Sequence, residues 1–123
     1  MVNKTPTLYI CNAFSTAMLP AWRLSDQFGS SHIMIHAIQD PKGWLAEAEK
    51  RHGFAVSAVG HADTAAVFAD TLGIDVPVNR QNIVLDENTE LLVGQLIGNR
   101  LPEGATTLPP GSRIMWVRVA LGI

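Results

Sequence analysis

The stretch "VSAVGHADTAAVFADTLG", residues 56–73, runs from a strand-like segment through Gly60 and His61 into a helix-like one. A histidine at that junction stands beside the unpaired N–H groups of a helix start, where the helix dipole attracts an anion such as phosphate. The same dipole disfavours imidazolium, and a bound phosphate opposes it and favours the protonated ring. That pairing suits a general acid protonated when its phosphate is present, an arrangement worth about 10²–10⁴ in rate. Gly60 gives the backbone freedom to turn sharply, and Asp63 and Thr64 stand where they can satisfy first-turn N–H groups or meet a ligand. On spacing alone a second reading stands beside this one: His61 as a surface residue at a helix cap.

Other residues offer less by themselves. Asn12 and Ser15 follow the apolar run "TLYIC", where they either line a ligand site at a strand's carboxyl end or build a turn. Arg80 in "VNRQ" reads as an exposed strand charge when taken alone. Arg100 and Glu103 in "NRLPEG" form a simple ion pair or frame a phosphate, whose oxygens the guanidinium fork matches. His32 and His36 have the i, i+4 spacing of helical zinc ligands but fall in a strand-like segment without a carboxylate triad or Cys pair nearby, so no metal site is expected. Trp22, Trp44 and Trp116 read as core or interface packing, and Cys11 as buried. The chain carries no Walker loop, no Gly-x-Ser-x-Gly elbow and no cluster of metal-binding carboxylates.

Around these groups the chain alternates between α and β patterns. "TLYIC" (7–11), "HIMIHAI" (32–38) and "FAVSAV" (54–59) read as strands. "AFSTAMLPAW" begins a helical turn that Pro20 ends. "DPKGWLAEAEKRHG" reads as a helix with Asp40 as N-cap, Pro41 at its first position and Gly53 as its stop. The segment after Gly60 reads as a second helix that buries Ala65, Phe68 and Leu72, closed by Gly73. "NRQNIVLD", "TELLVGQLIG" and "SRIMWVRVAL" read as late strands, with the Pro/Gly-rich loop "NRLPEGATTLPPG" between the last two. The expected fold is an α/β single small domain over residues 1–123: a mixed β-sheet of about five to six strands flanked by helices.

Composition excludes several function classes. The chain has 123 residues, 47% of them hydrophobic and 16% charged, as in an ordinary globular domain. A formal net charge of -2 leaves no basic excess for gripping long DNA or RNA. The single cysteine excludes an internal disulfide and fits a reducing cytoplasm. No apolar run approaches the roughly 20 residues of a membrane span, and the N-terminal apolar stretch is too short for a signal peptide. A cytoplasmic location with no membrane partner is expected.

Taken together and in this order, "LYICNAFSTAML", "VGHADTAAVF", "VPVNR" and "LLVGQLIGNRLPEGATTLPPG" resemble the viral anti-CRISPR ring nuclease family of type III CRISPR systems and its bacterial CRISPR-associated relatives. The resemblance runs from about residue 7 to the C-terminus and is loosest over residues 21–52. It implies a homodimer that binds the second messenger cyclic tetra-adenylate and cleaves it without metal or cofactor to linear di-adenylate with 2′,3′-cyclic phosphate ends. The substrate's own 2′-hydroxyl would attack, and type III CRISPR signalling would be shut off. By the same resemblance His61 is the general acid, Arg100 stabilises charge on the scissile phosphate and Glu103 orients groups around it. Asn12, Ser15, Arg80 and Gln95 line the pocket, with Asp63 and Thr64 at the helix start near the ligand. A family member encoded by a virus would act in the host cell cytoplasm. Some viral members carry a small hydroxyl residue where Asp63 stands, and the segment from Gln95 to Arg100 is one residue longer here than in some of them.

The chemistry agrees with the inventory, because an internal nucleophile removes the need for a protein nucleophile or a metal-bound water. A C2 dimer would match a two-fold ring and supply Arg80 and Arg100 twice. Two other classes of function remain at this stage: a non-catalytic module that sequesters the cyclic oligoadenylate, with His61 only a hydrogen-bond donor, and an interaction protein that holds a protein partner through its sheet edge and tryptophans.

Overall fold

The computed structural model describes residues 7–19 and 32–122. Apolar residues at the start of the described chain, buried at Leu8, Ile10 and Cys11, form strand β1 (Leu8–Cys11). A single 3₁₀ turn, Thr16–Met18, follows, with the Ser15 hydroxyl accepting a hydrogen bond from the Ala17 N–H at 3.0 Å. Trp22, and the part of the expected helical turn beyond Leu19, lie outside the described residues. Strand β2 (His32–Ile38) leads into helix α1 (Pro41–His52). As the cap residues require, the Asp40 carboxylate accepts from the Gly43 N–H at 3.1 Å, Pro41 opens the helix and Gly53 ends it. Strand β3 (Val56–Ser57), helix α2 (Ala62–Leu72), and strands β4 (Glu90–Ile97) and β5 (Arg113–Gly122) complete the order.

The five strands form one mixed sheet in the order β2-β5-β4-β1-β3. β1 runs parallel to both β3 and β4, with Tyr9 opposite Val56 on one side and Leu91 on the other. β5 is antiparallel to both of its neighbours, β4 and β2. The carboxyl ends of β1, β3 and β4 therefore share one edge of the sheet. Both helices lie on one face: Leu45 and Ala48 of α1 and Ala65, Phe68 and Leu72 of α2 pack with Leu8, Ile10, Leu92 and Trp116. The opposite face has no α-helix among the described residues. There Cys11, Leu91, Val93 and Val119 are covered by Ile83 and Leu85, with Phe14, Met18 and Leu19 packed alongside.

Two expected strands differ. "NRQNIVLD" (79–86) joins no ladder. Its alternation of buried Ile83 and Leu85 with exposed Val84 reflects a chain lying across the sheet face, which imposes the same period of two as pairing does. Its polar groups go elsewhere: the Asn79 and Gln81 side-chain amides both donate to the Ser57 carbonyl, at 2.7 and 3.1 Å. They thereby occupy part of the open edge of β3. "FAVSAV" (54–59) contributes only Val56 and Ser57 to the sheet, and Phe54 is 90% exposed. Among the described residues the sheet thus has the lower of the two expected strand numbers.

At the opposite end of β4 from the shared carboxyl edge, Glu90 is buried beside Arg51, His52 and Arg118. Its carboxylate accepts from Arg51 at 3.2 Å, pairs with His52 at 2.6 Å and accepts from Arg118. Thr7 hydrogen-bonds the other ring nitrogen of His52 at 2.7 Å. Burial alone raises the pKa of Glu90, but the hydrogen bonds from His52, Arg118 and Arg51, with the charge of Arg118, outweigh it and lower the value to about 2. A carboxylate with a depressed folded pKa contributes stability that is fully present above its unfolded pKa, roughly 4.3. That contribution is lost as pH falls from there toward 2.

Gly94 sits where α2 meets the sheet. An added Cβ would lie 2.6 Å from the Trp116 ring and 2.8 Å from the Phe68 ring, and those rings pack with centroids 4.8 Å apart, tilted by 52°. Two outcomes are expected. In calorimetry, Glu90→Gln lowers stability at neutral pH by about 2 kcal/mol and flattens the fall in Tm between pH 5 and pH 2.5. In urea denaturation, Gly94→Ala costs about 1–3 kcal/mol by pushing the Phe68–Trp116 pair apart.

Candidate functional site

The parallel strands build the site. Asn12 directly follows β1, His61 follows β3 across Ala58–Gly60, and Arg100 follows β4 across Gly98 and Asn99. Ligands of open α/β sheets collect at such a carboxyl edge. His61 occupies the N-cap position of α2 with extended φ of -124° and ψ of 133°, and its carbonyl accepts the Ala65 N–H at 2.9 Å. Its imidazole makes no capping bond and is exposed, so the helix start keeps amides that no cap side chain occupies.

Two clefts meet at His61. The first, of about 210 Å³, has Cys11, Met18, Ala58 and Ile83 as apolar walls and Asn12, His61, Arg80, Gln81 and Asn82 as polar groups. The second, of about 260 Å³, lies between His61, Asp63 and Thr64 on one side and Leu96, Arg100 and Leu101 on the other. Each cleft therefore carries one arginine, and the histidine is common to both. Gly60 does not have positive φ; what it supplies is room, because an added Cβ would stand 3.3 Å from the Arg80 side-chain stem. The missing side chain of Gly60 leaves the Arg80 stem room against the backbone next to His61.

The residues singled out from the sequence divide in two. His61, Asn12, Arg80, Asp63, Thr64 and Arg100 line the clefts. Ser15, Glu103 and Gln95 line neither. Ser15 holds the 3₁₀ turn, and Glu103 is exposed in the turn from Pro102 to Ala105. Gln95 is exposed, and strand alternation puts it on the face of Leu91 and Val93, two positions beyond the Cys11–Val93 pair. Sequence reasoning missed Gln81, Asn82, Met18 and Leu96. The one signal for the first two was the run of amides in "NRQN", which a strand assignment left without a ligand-facing role.

Cys11 lines the first cleft, but burial pushes its thiol pKa up to about 12, so it stays protonated and is a poor nucleophile. Among the described residues no three His, Cys, Asp or Glu side chains cluster as metal ligands, and no helix is long and apolar enough to cross a membrane. The chemistry this arrangement can perform is anion binding by two guanidiniums and a helix start, with one exposed imidazole placed to move a proton.

Comparisons with known proteins agree with this architecture. B116 of Sulfolobus turreted icosahedral virus (STIV) is similar in structure, with a TM-score of 0.69 over 93% of this chain and 98% of that one, at 24% identity. None of the curated proteins searched matches the chain. The STIV B116-like family matches residues 8–109, which take in strands β1 to β4, both helices and most of the loop after β4. This chain belongs to the STIV B116-like family.

Proposed function

We propose that this protein is a metal-independent ring nuclease that cleaves cyclic tetra-adenylate to di-adenylate with 2′,3′-cyclic phosphate ends, shutting off type III CRISPR signalling. The observation that carries the reading is the exposed, uncapped imidazole of His61 at the meeting of two clefts, each with its own arginine. Membership of the family supports the fold in which this site is set. In the reaction the 2′-oxygen attacks the adjacent phosphorus in line and its proton passes to water. The new 2′-O–P bond replaces the bond to the 5′-oxygen, which takes a proton from His61 as it leaves. Arg100 meets charge developing on the phosphate, and Arg80 holds a neighbouring phosphate in the other cleft. Glu103 and Gln95 stand outside both clefts and reach the ligand from a partner copy.

A ring of four nucleotides with two-fold symmetry suits two copies of this chain, each presenting one histidine and two arginines. The exposed apolar residues Ile35, 56% exposed, and Met115, 51% exposed, lie on the helix-free face and give a second copy a surface to pack on. Pure protein incubated with cyclic tetra-adenylate in EDTA is expected to yield di-adenylate cyclic phosphate by chromatography and mass analysis. His61→Ala is expected to retain the bound ring but lose turnover by about 10²–10⁴-fold. Intact ring with the wild type would overturn the enzyme reading, and ring bound but uncut would identify a sequestering protein.

A further inference from the structure

We infer that Asp63 is a latch that holds the loop after β4 against the start of α2, and so positions Arg100 for the chemistry at His61; this rests on the ring-nuclease reading. Asp63 stands in the first turn of α2, where the positive helix end favours a carboxylate. Its hydrogen bond nevertheless leaves the helix: Oδ1 accepts the Gly104 N–H at 3.2 Å, across 41 residues of chain.

The loop end of the bond is built for it. Pro102 to Ala105 form a turn closed by the Ala105 N–H donating to the Pro102 carbonyl at 3.1 Å. Gly104 is the third residue of that turn with φ of +79°, the conformation a type II turn requires and glycine adopts freely. An added Cβ there would touch nothing within 4 Å, so backbone conformation and not space is what calls for glycine. At its base the loop is closed again, by the Ser112 hydroxyl donating to the Asn99 carbonyl at 3.0 Å. Between these two ties lie Arg100 and Leu101, both lining the cleft that Asp63 shares.

A carboxylate in a cleft meant for phosphodiester oxygens is an unfavourable ligand contact, because like charges repel. Its charge instead strengthens a bond to a backbone N–H. Asp63 is therefore a positioning residue that acts through the loop, and the ligand contacts in this cleft fall to Thr64, Arg100 and the helix amides.

The test compares wild type, Asp63→Ala and Asp63→Asn, since asparagine keeps an acceptor oxygen for Gly104 and loses the charge. Without ligand, trypsin cleavage after Arg100 and Glu-specific cleavage after Glu103, followed by mass spectrometry, are expected to accelerate roughly fivefold in Asp63→Ala. Asparagine should restore most of the protection. With cyclic tetra-adenylate, Asp63→Ala is expected to lose roughly tenfold in kcat with KM little moved. Asp63→Asn should recover kcat and keep both limbs of the wild-type pH–rate profile.

Equal nicking of Asp63→Ala and wild type would overturn the latch. So would loss of turnover in Asp63→Asn as deep as in Asp63→Ala, which would make the carboxylate a direct participant. If the wild type leaves the ring intact, the ring-nuclease reading fails, and the ligand-free cleavage comparison still decides whether the latch exists.

Discussion

The site depends on one constraint: β1 lies in parallel between β3 and β4. Parallel neighbours need long crossovers, and here those crossovers contain both helices, so each strand leaves the sheet at the same edge. Asn12, His61 and Arg100 are separated by 49 and 39 residues of chain and come together only because three strands end side by side. The parallel pairing is fixed at its other end by Glu90, whose N–H donates to the Thr7 carbonyl at 2.8 Å and whose side chain gathers Arg51, His52 and Arg118. That carboxylate ties α1 and β5 to the start of β4. A buried charge is retained at little cost only where its partners surround it, as they do here.

The two faces of the sheet are covered by different means. Helices need an apolar stripe and a close approach, which Gly94 allows by leaving space under Phe68 and Trp116. Because Phe68 belongs to α2, this contact also sets how the helix start, and with it His61, meets the sheet edge. The other face is covered by extended chain whose buried Ile83 and Leu85 carry Arg80, Gln81 and Asn82 to the first cleft. The Leu85 N–H donates to the Met18 carbonyl at 2.7 Å, joining that chain to the 3₁₀ turn. The irregular coat is thus part of the site as well as part of the core.

Local signals in the sequence were legible wherever a residue type answers to its own backbone. Asp40 and Pro41 mark the start of α1, and Gly53 and Gly73 the two helix ends, because caps act within one turn of chain. Strands β1, β2, β4 and β5 show as apolar or alternating runs. The extended segment at 79–86 was misread because alternation records which side chains face the core, and a chain laid over a sheet alternates as a paired strand does. At the site, the Gly-His junction before α2 was legible for the same local reason as the caps, while the amides of Gln81 and Asn82 had no local signature.

The α/β class, both helices with their limits and the placing of His61 at a helix start are readable from the residues alone, since each rests on positions close to one another in the chain. Folding in three dimensions places Arg80 and Arg100 in separate clefts that share that histidine, gives Arg80 room beside Gly60 and bonds Asp63 to Gly104. Those relations depend on strand order and on loops closing over tens of residues. No periodicity or cap encodes such distances, because pairing partners are selected by packing across the whole sheet.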